Sequence, residues 1–134
     1  MLEKVNIIPM NKIGLDERGG TFDFSIRNSQ NFIYLTRKKG SLSGNTYHEG
    51  KSEATNPKMF VLLSGSIKLR FRNIKNKSHE MLEITEPSVI KIPPFTTHSI
   101  EALSDISILE CNSIADIQND RIREEVILEV CEED

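Results

Sequence analysis

The chain has 134 residues, a net charge of −3 and an apolar fraction of 37%, enough for one domain with its own core and no need of disulfide staples. The acidic balance provides no basic footprint for nucleic acid or for an anionic membrane surface, and no apolar run approaches the ~18 residues of a membrane span. "MLEKVNIIPMNK" carries charges at Glu3 and Lys4 and has no apolar h-region, and Cys111 and Cys131 form no CxxC pair; the expectation is a reduced, cytoplasmic protein without a secretory signal.

In chain order, the apolar "VNIIP" at the N-terminus is a strand suited to edge pairing, and a candidate contact in a homodimer. "TFDFSIR" alternates Phe22, Phe24 and Ile26 with polar neighbours, the period of a half-buried strand. "NFIYLTRK" follows, then the glycine-marked "GSLSGNTYHEGKSE". "KMFVLLSG" is continuously apolar and ends on a Ser-Gly turn, as a strand covered on both faces would. "SIKLRFRN" sends Ile67, Leu69 and Phe71 one way and Lys68, Arg70 and Arg72 the other. "MLEITE", "SVIKIPP", "HSIEAL" and "DISILEC" complete some eight to ten short strands, punctuated by turn residues such as Gly19-Gly20, Ser64-Gly65 and Pro93-Pro94. This pattern predicts an all-β sandwich or barrel. The domain spans 1–134, with a barrel core at about 20–112 and a peripheral N-terminal strand and C-terminal tail. In the tail, Ile117, Ile122, Val126, Ile127 and Val130 fit a short amphipathic helix, although "EVILEV" would also serve as a strand.

Three histidines are present. His79 lies in a polar loop signal, "NIKNKSHE". His48 and His98 each follow a turn and border a strand, so inward-facing imidazoles from two strands can meet inside a small barrel. No GxSxG elbow, GxGxxG or phosphate-cradling GxxxxGK[ST] occurs.

The spacing around these histidines resembles the cupin superfamily. Its first motif is G-x5-H-x-H-x3,4-E-x6-G and its second G-x5-P-x-G-x2-H-x3-N. Here Gly40 is followed by five residues, Thr46-Tyr47-His48, four residues and Glu53, so Thr46 replaces the first histidine; the closing glycine, Gly65, comes about five residues late. In the second motif Pro93 and His98 are in register, while Pro87, Phe95 and Ala102 stand at the glycine, glycine and asparagine positions. "GNTYHEGKSE" is similar to the G-N-H-Y-H-x-x-K-x-E of cupin domains in capsular polysaccharide synthesis proteins. "DERGG", Asp16 to Gly20, is similar to the D-x-R-G of sugar-nucleotide 3,5-epimerases and 3,4-ketoisomerases.

The resemblance implies a double-stranded β-helix, the RmlC-like jelly roll, that dimerises and binds a sugar nucleotide or related carbohydrate, with isomerase- or epimerase-like activity in surface-polysaccharide synthesis. The family histidine at the Thr46 position is a base or a metal ligand. An imidazole of pKa ~6.5 can take a proton α to a carbonyl at neutral pH, and a threonine hydroxyl cannot. A base would then have to be His48, His98, Tyr47 or Glu53, with His48 and His98 the candidate catalytic residues. His48, Glu53 and His98 form the implied metal set, which suits Fe(II) as a facial triad and equally Zn, Mn or Ni. Arg18, Thr46 and Lys51 are the implied substrate-binding residues. A small-molecule-binding or regulatory cupin with a lost active site and an Fe(II)-dependent oxygenase are the alternatives.

Overall fold

The computed structural model describes residues 4–128. Its strands are β1 (Asn6–Pro9), β2 (Asn11–Asp16), β3 (Gly19–Asp23), β4 (Ile33–Arg37), β5 (Leu42–Tyr47), β6 (Lys58–Ser64), β7 (Ile67–Asn73), β8 (Glu80–Ile84), β9 (Ser88–Ile92), β10 (Thr96–Ala102), β11 (Ile106–Glu110) and β12 (Ile122–Arg123), with one helix, α1 (Ile114–Asn119), before the last. Two five-stranded sheets, β1-β9-β6-β11-β4 and β12-β5-β10-β7-β8, face each other, and β2–β3 is a separate hairpin. The pairs within the two large sheets are antiparallel. The all-β class expected from the strand pattern, and the jelly roll implied by the cupin resemblance, are the observed architecture.

Alternation explains where the core lies. On β6, Phe60 and Leu62 join Ile67, Leu69 and Phe71 of β7 in the cluster between the sheets. Met59 and Val61 point the opposite way, into a smaller cluster with Val89 and Cys111 that Met10 and Ile26 cover. β6 is apolar throughout because both of its faces are roofed. Each fully buried Leu or Ile is worth roughly 2 kcal/mol of transfer free energy, so the two clusters hold β6 in register at the centre of its sheet.

Three expectations are corrected. "TFDFSIR" is a strand only to Asp23, and Phe22 and Phe24 remain exposed, because neither large sheet covers the hairpin. The N-terminal strand pairs with β9 of its own chain, Ile7 opposite Ile90. The expected short tail helix is present, but it ends before Ile122 and Val126: Ser113 and Asp116 form a capping box at its start, and Asp120 leaves helical geometry at its end (φ −149°, ψ 68°). Ile122 then enters β12 and Val126 is buried beyond it, while Val130 lies outside the described residues. Among the described residues no helix is long and apolar enough to cross a membrane.

Candidate functional site

At one end the two sheets enclose a cavity of about 750 Å³. Its floor is set by strand parity. Lys58 shares a face with Phe60 and Leu62 on β6, and Glu110 shares a face with Ile106 and Ile108 on the neighbouring β11, so both point between the sheets. Thr46, opposite His98 in the β5–β10 pairing, lines the cavity along with His98 itself. His48, the residue after β5, completes the inner wall.

A bulge re-aims this part of β5. The register shifts between His98 and Ser99, so that Thr46 pairs with His98 but Gly44 pairs with Ser99, leaving Asn45 extra. Gly44 (φ 105°) and Asn45 (φ 60°) take left-handed backbone there. A Cβ on Gly44 would lie 2.6 Å from the His98 carbonyl oxygen, so only glycine fits. Asn45 uses its unusual backbone to dock the tail: its carbonyl accepts from the Glu124 amide at 2.9 Å, and its Oδ1 from the Val126 amide at 3.0 Å.

The two imidazoles lie 5.9 Å apart, centroid to centroid, and both are buried. Each has its Nδ1 on a backbone carbonyl, His48 on Asp120 and His98 on Thr96. A carbonyl can only accept, so in the neutral ring Nδ1 carries the proton and Nε2 keeps the lone pair. Burial favours that neutral form. It pushes His98 down to about 3, helped by nearby His48 and Lys58 and opposed by the Thr96 bond. His48 is also lowered by burial, while the Asp120 carbonyl and the Asp120 and Glu110 carboxylates pull it back up.

Lys58 is 2% exposed, and its Nζ sits 2.9 Å from Glu110 Oε1 with a further bond to Asn112 Oδ1. Burial lowers the ammonium against the opposing pull of Glu110. At the rim stand Arg37, Arg121 and Arg123, the last two delivered by the segment after α1. Among the described residues Glu110 is the one carboxylate on the cavity wall, and it is already paired. The unbalanced charge is therefore positive, a field that attracts an anionic ligand.

The sequence-derived candidates divide. His48, His98 and Thr46 line the cavity. Glu53 is exposed in the turn after β5 and does not reach it, and among the described residues no three His, Cys, Asp or Glu side chains are grouped to hold a metal ion. The expected set of His48, Glu53 and His98 is not assembled, because the 49–55 turn is held outward by Asp120. The Lys58 ammonium beside the imidazoles further disfavours a dication, so the residues present do not fit a three-ligand centre or the oxygenase alternative. Lys51 is exposed and faces Glu49 at 3.4 Å. Arg18 lies at the hairpin tip, 85% exposed and paired with Asp16 at 2.8 Å, outside the cavity of its own chain. Tyr47 packs on Phe95 instead of lining the site. Phe95, at a motif position that is usually glycine, adopts φ 60° and donates its amide to the His48 carbonyl at 2.8 Å.

Sequence reasoning missed Lys58, Glu110, Asp120 and the three rim arginines. Lys58 and Glu110 were within reach, since each lies an even number of residues from an inward apolar side chain. Nothing local marks Asp120: burial alone would raise its carboxyl, but the Glu49 and Lys51 amides, the Thr55 hydroxyl and His48 outweigh that and hold it below the usual range.

Residues 14–121 match the model of the polysaccharide biosynthesis C-terminal domain family. No curated protein matches in sequence. Among solved structures, the sugar 3,4-ketoisomerase QdtA of Thermoanaerobacterium thermosaccharolyticum, in complex with TDP, superposes with TM-score 0.68 at 21% identity, over 92% of this chain and 90% of that one. The capsular polysaccharide assembling protein CapF of Staphylococcus aureus gives 0.58 at 24% identity over 88% of this chain, which spans only 35% of CapF. The RmlC epimerase of Mycobacterium tuberculosis gives 0.66 at 13% identity, over 87% and 66% of the two chains. At these identities the structural likeness establishes the fold, an RmlC-like cupin jelly roll.

Proposed function

The chain belongs to the polysaccharide biosynthesis C-terminal domain family, and from that premise we propose that it binds a nucleotide-linked keto sugar in the cavity and moves a proton between neighbouring sugar carbons. The observation that carries this reading is the composition of the cavity: two neutral imidazoles beside a buried ammonium, beneath a rim of three arginines. The arginines suit the diphosphate, whose oxygens match the guanidinium fork. The floor suits the sugar. His48, oriented by the Asp120 carbonyl at Nδ1, takes the proton α to the ketone on Nε2. The electron pair moves onto the carbonyl oxygen, which receives the proton of the neighbouring hydroxyl to give an enediol. Nε2, after exchange with solvent, delivers a proton to the former carbonyl carbon as the neighbouring C–O becomes the ketone. Lys58 supplies positive charge to the enolate oxygen. No step requires a metal.

The relatives motivate the probes, since QdtA has been solved with TDP and a QdtA variant with TDP-4-keto-6-deoxyglucose. Calorimetry with TDP, and NMR of TDP-4-keto-6-deoxyglucose incubated with the protein in D2O, test the proposal. Binding together with deuterium incorporation next to the ketone supports it. Binding without incorporation supports the second reading, a sugar-nucleotide-binding barrel without catalysis, which Thr46 at the family's histidine position favours. Neither binding nor incorporation overturns both.

The assembly proposed is a homodimer. The β2–β3 hairpin exposes Ile13 (61%) and Leu15 (68%), and edge strand β4 exposes Tyr34 (64%). A lone two-stranded hairpin is marginal in water, and a second copy would cover it. Light scattering should give twice the chain mass, reverting to one chain in Leu15→Lys; a monomer at micromolar concentration contradicts the assembly. The cytoplasm is the proposed compartment, consistent with the free thiol of Cys111.

A further inference from the structure

Asp120 ends α1, and a helix end asks little of it: its amide donates to the Ile117 carbonyl at 3.2 Å, which already closes the last turn. Yet the residue is 3% exposed and its carboxylate is fully engaged elsewhere. Oδ1 accepts from the Glu49 amide at 2.7 Å. Oδ2 accepts from the Lys51 amide at 2.8 Å and the Thr55 hydroxyl at 2.7 Å. The backbone carbonyl of the same residue accepts from His48 Nδ1, 72 positions away in the chain. One residue thus grips the imidazole with its main chain and the turn behind that imidazole with its side chain.

We infer that Asp120 is a positioning residue for His48, selecting the Nδ1–H tautomer and so presenting the Nε2 lone pair to the cavity. The carbonyl makes the selection, because it can only accept. The carboxylate makes the selection durable. Charge-assisted bonds to the Glu49 and Lys51 amides and the Thr55 hydroxyl fix the 49–55 segment relative to that carbonyl, so the ring cannot rotate away without breaking several bonds at once. The same residue starts the segment that carries Arg121 and Arg123 into the cavity wall. The base and the anion-facing wall are therefore set by one anchor. The catalytic consequence rests on the proton-transfer reading above; the tautomer itself does not.

Protein labelled with 15N tests the inference directly. Long-range 1H–15N spectra read the His48 tautomer, and hydrogen exchange reads the Glu49 and Lys51 amides. Asp120→Asn preserves size and the backbone carbonyl but turns one acceptor into an NH2 group facing donors. Thr55→Val removes a single donor and is the milder variant. The parent should hold His48 as Nδ1–H alone. In Asp120→Asn the ring should sample both tautomers and the two amides should exchange at least about tenfold faster, with Thr55→Val in between. Deuterium incorporation into TDP-4-keto-6-deoxyglucose should fall about 10- to 100-fold in Asp120→Asn. An Nε2–H ring in the parent, or an unchanged tautomer and unchanged amide exchange in folded Asp120→Asn, overturns the inference. Should Asp120→Asn not fold, Thr55→Val decides by the same two signals. A parent that binds no TDP overturns the sugar-nucleotide reading, and the tautomer result still judges Asp120 by itself.

Discussion

Two ion pairs in this protein have nearly the same length and opposite meanings. Lys58 and Glu110 meet at 2.9 Å on the cavity floor, with side chains 3% and 19% exposed. Arg18 and Asp16 meet at 2.8 Å on the β2–β3 hairpin, with side chains 85% and 44% exposed. In water an ion pair competes with full hydration of both partners and contributes little. On the cavity floor, loss of one partner leaves the other with little solvent to replace it, and the effect is large. The hairpin pair shapes a turn: the Arg18 amide also donates to Asp16 Oδ1 at 2.9 Å. The floor pair places a cation beside two imidazoles. Environment, rather than geometry, separates a site from a surface.

The comparison can be pressed experimentally, and the widest gap should appear in chemistry. His48→Ala should lower deuterium incorporation into a TDP-keto sugar by about 10²- to 10⁴-fold, the range of a lost general base, whereas Arg18→Ala in the monomeric Leu15→Lys background should leave it within twofold of that background. Loss of incorporation in the arginine variant would transfer a catalytic role to the hairpin. Stability should separate next. Lys58→Met leaves the Glu110 carboxylate and the Asn112 carbonyl without their donor and should destabilise by roughly 3 kcal/mol in urea unfolding. An unchanged midpoint would mean that the floor pair is as dispensable as an exposed one.

Acid should sharpen the contrast further. Unfolded His98 gains a proton as pH falls through 6.5, while the folded ring stays neutral until about 3. Within that window the unfolded state holds more protons, so stability rises with pH and is lost on acidification. The unfolding free energy should fall between pH 6.5 and 4, and His98→Gln should flatten the slope; an identical slope in the variant would contradict the neutral, buried ring. The smallest effect expected is at the outward turn. Glu53→Gln and Lys51→Ala should leave TDP affinity and metal content unchanged by calorimetry and elemental analysis, and a stoichiometric metal lost in Glu53→Gln would restore the three-ligand site.

Much of the barrel was legible because its signals are local. The alternation of Ile67, Leu69 and Phe71, the doubly buried run of β6 and the glycine and proline turns all act between near neighbours in sequence. The motif spacing singled out Thr46, His48 and His98, and all three line the cavity. The same spacing misplaced Glu53 and Lys51, since counting residues cannot tell whether a turn folds toward the cavity or away from it. Periodicity left the tail beyond α1 open between helix and strand; there Arg72 donates to the Val126 carbonyl at 3.0 Å and to Glu124 at 2.8 Å and so holds the segment against the barrel.

By itself, then, the sequence determined the strand pattern and the all-β class, because periodicity and turn chemistry operate over a few residues, and the motif resemblance added the jelly roll and the two histidines. Tertiary structure alone decided how the buried polar and charged groups are partnered. Asp120 reaches His48 across 72 positions, and Lys58 finds Glu110 across an adjacent strand of the closed sheet. Such contacts exist only after the sheets have packed, when burial turns an ordinary carboxylate or ammonium into a group that must be partnered.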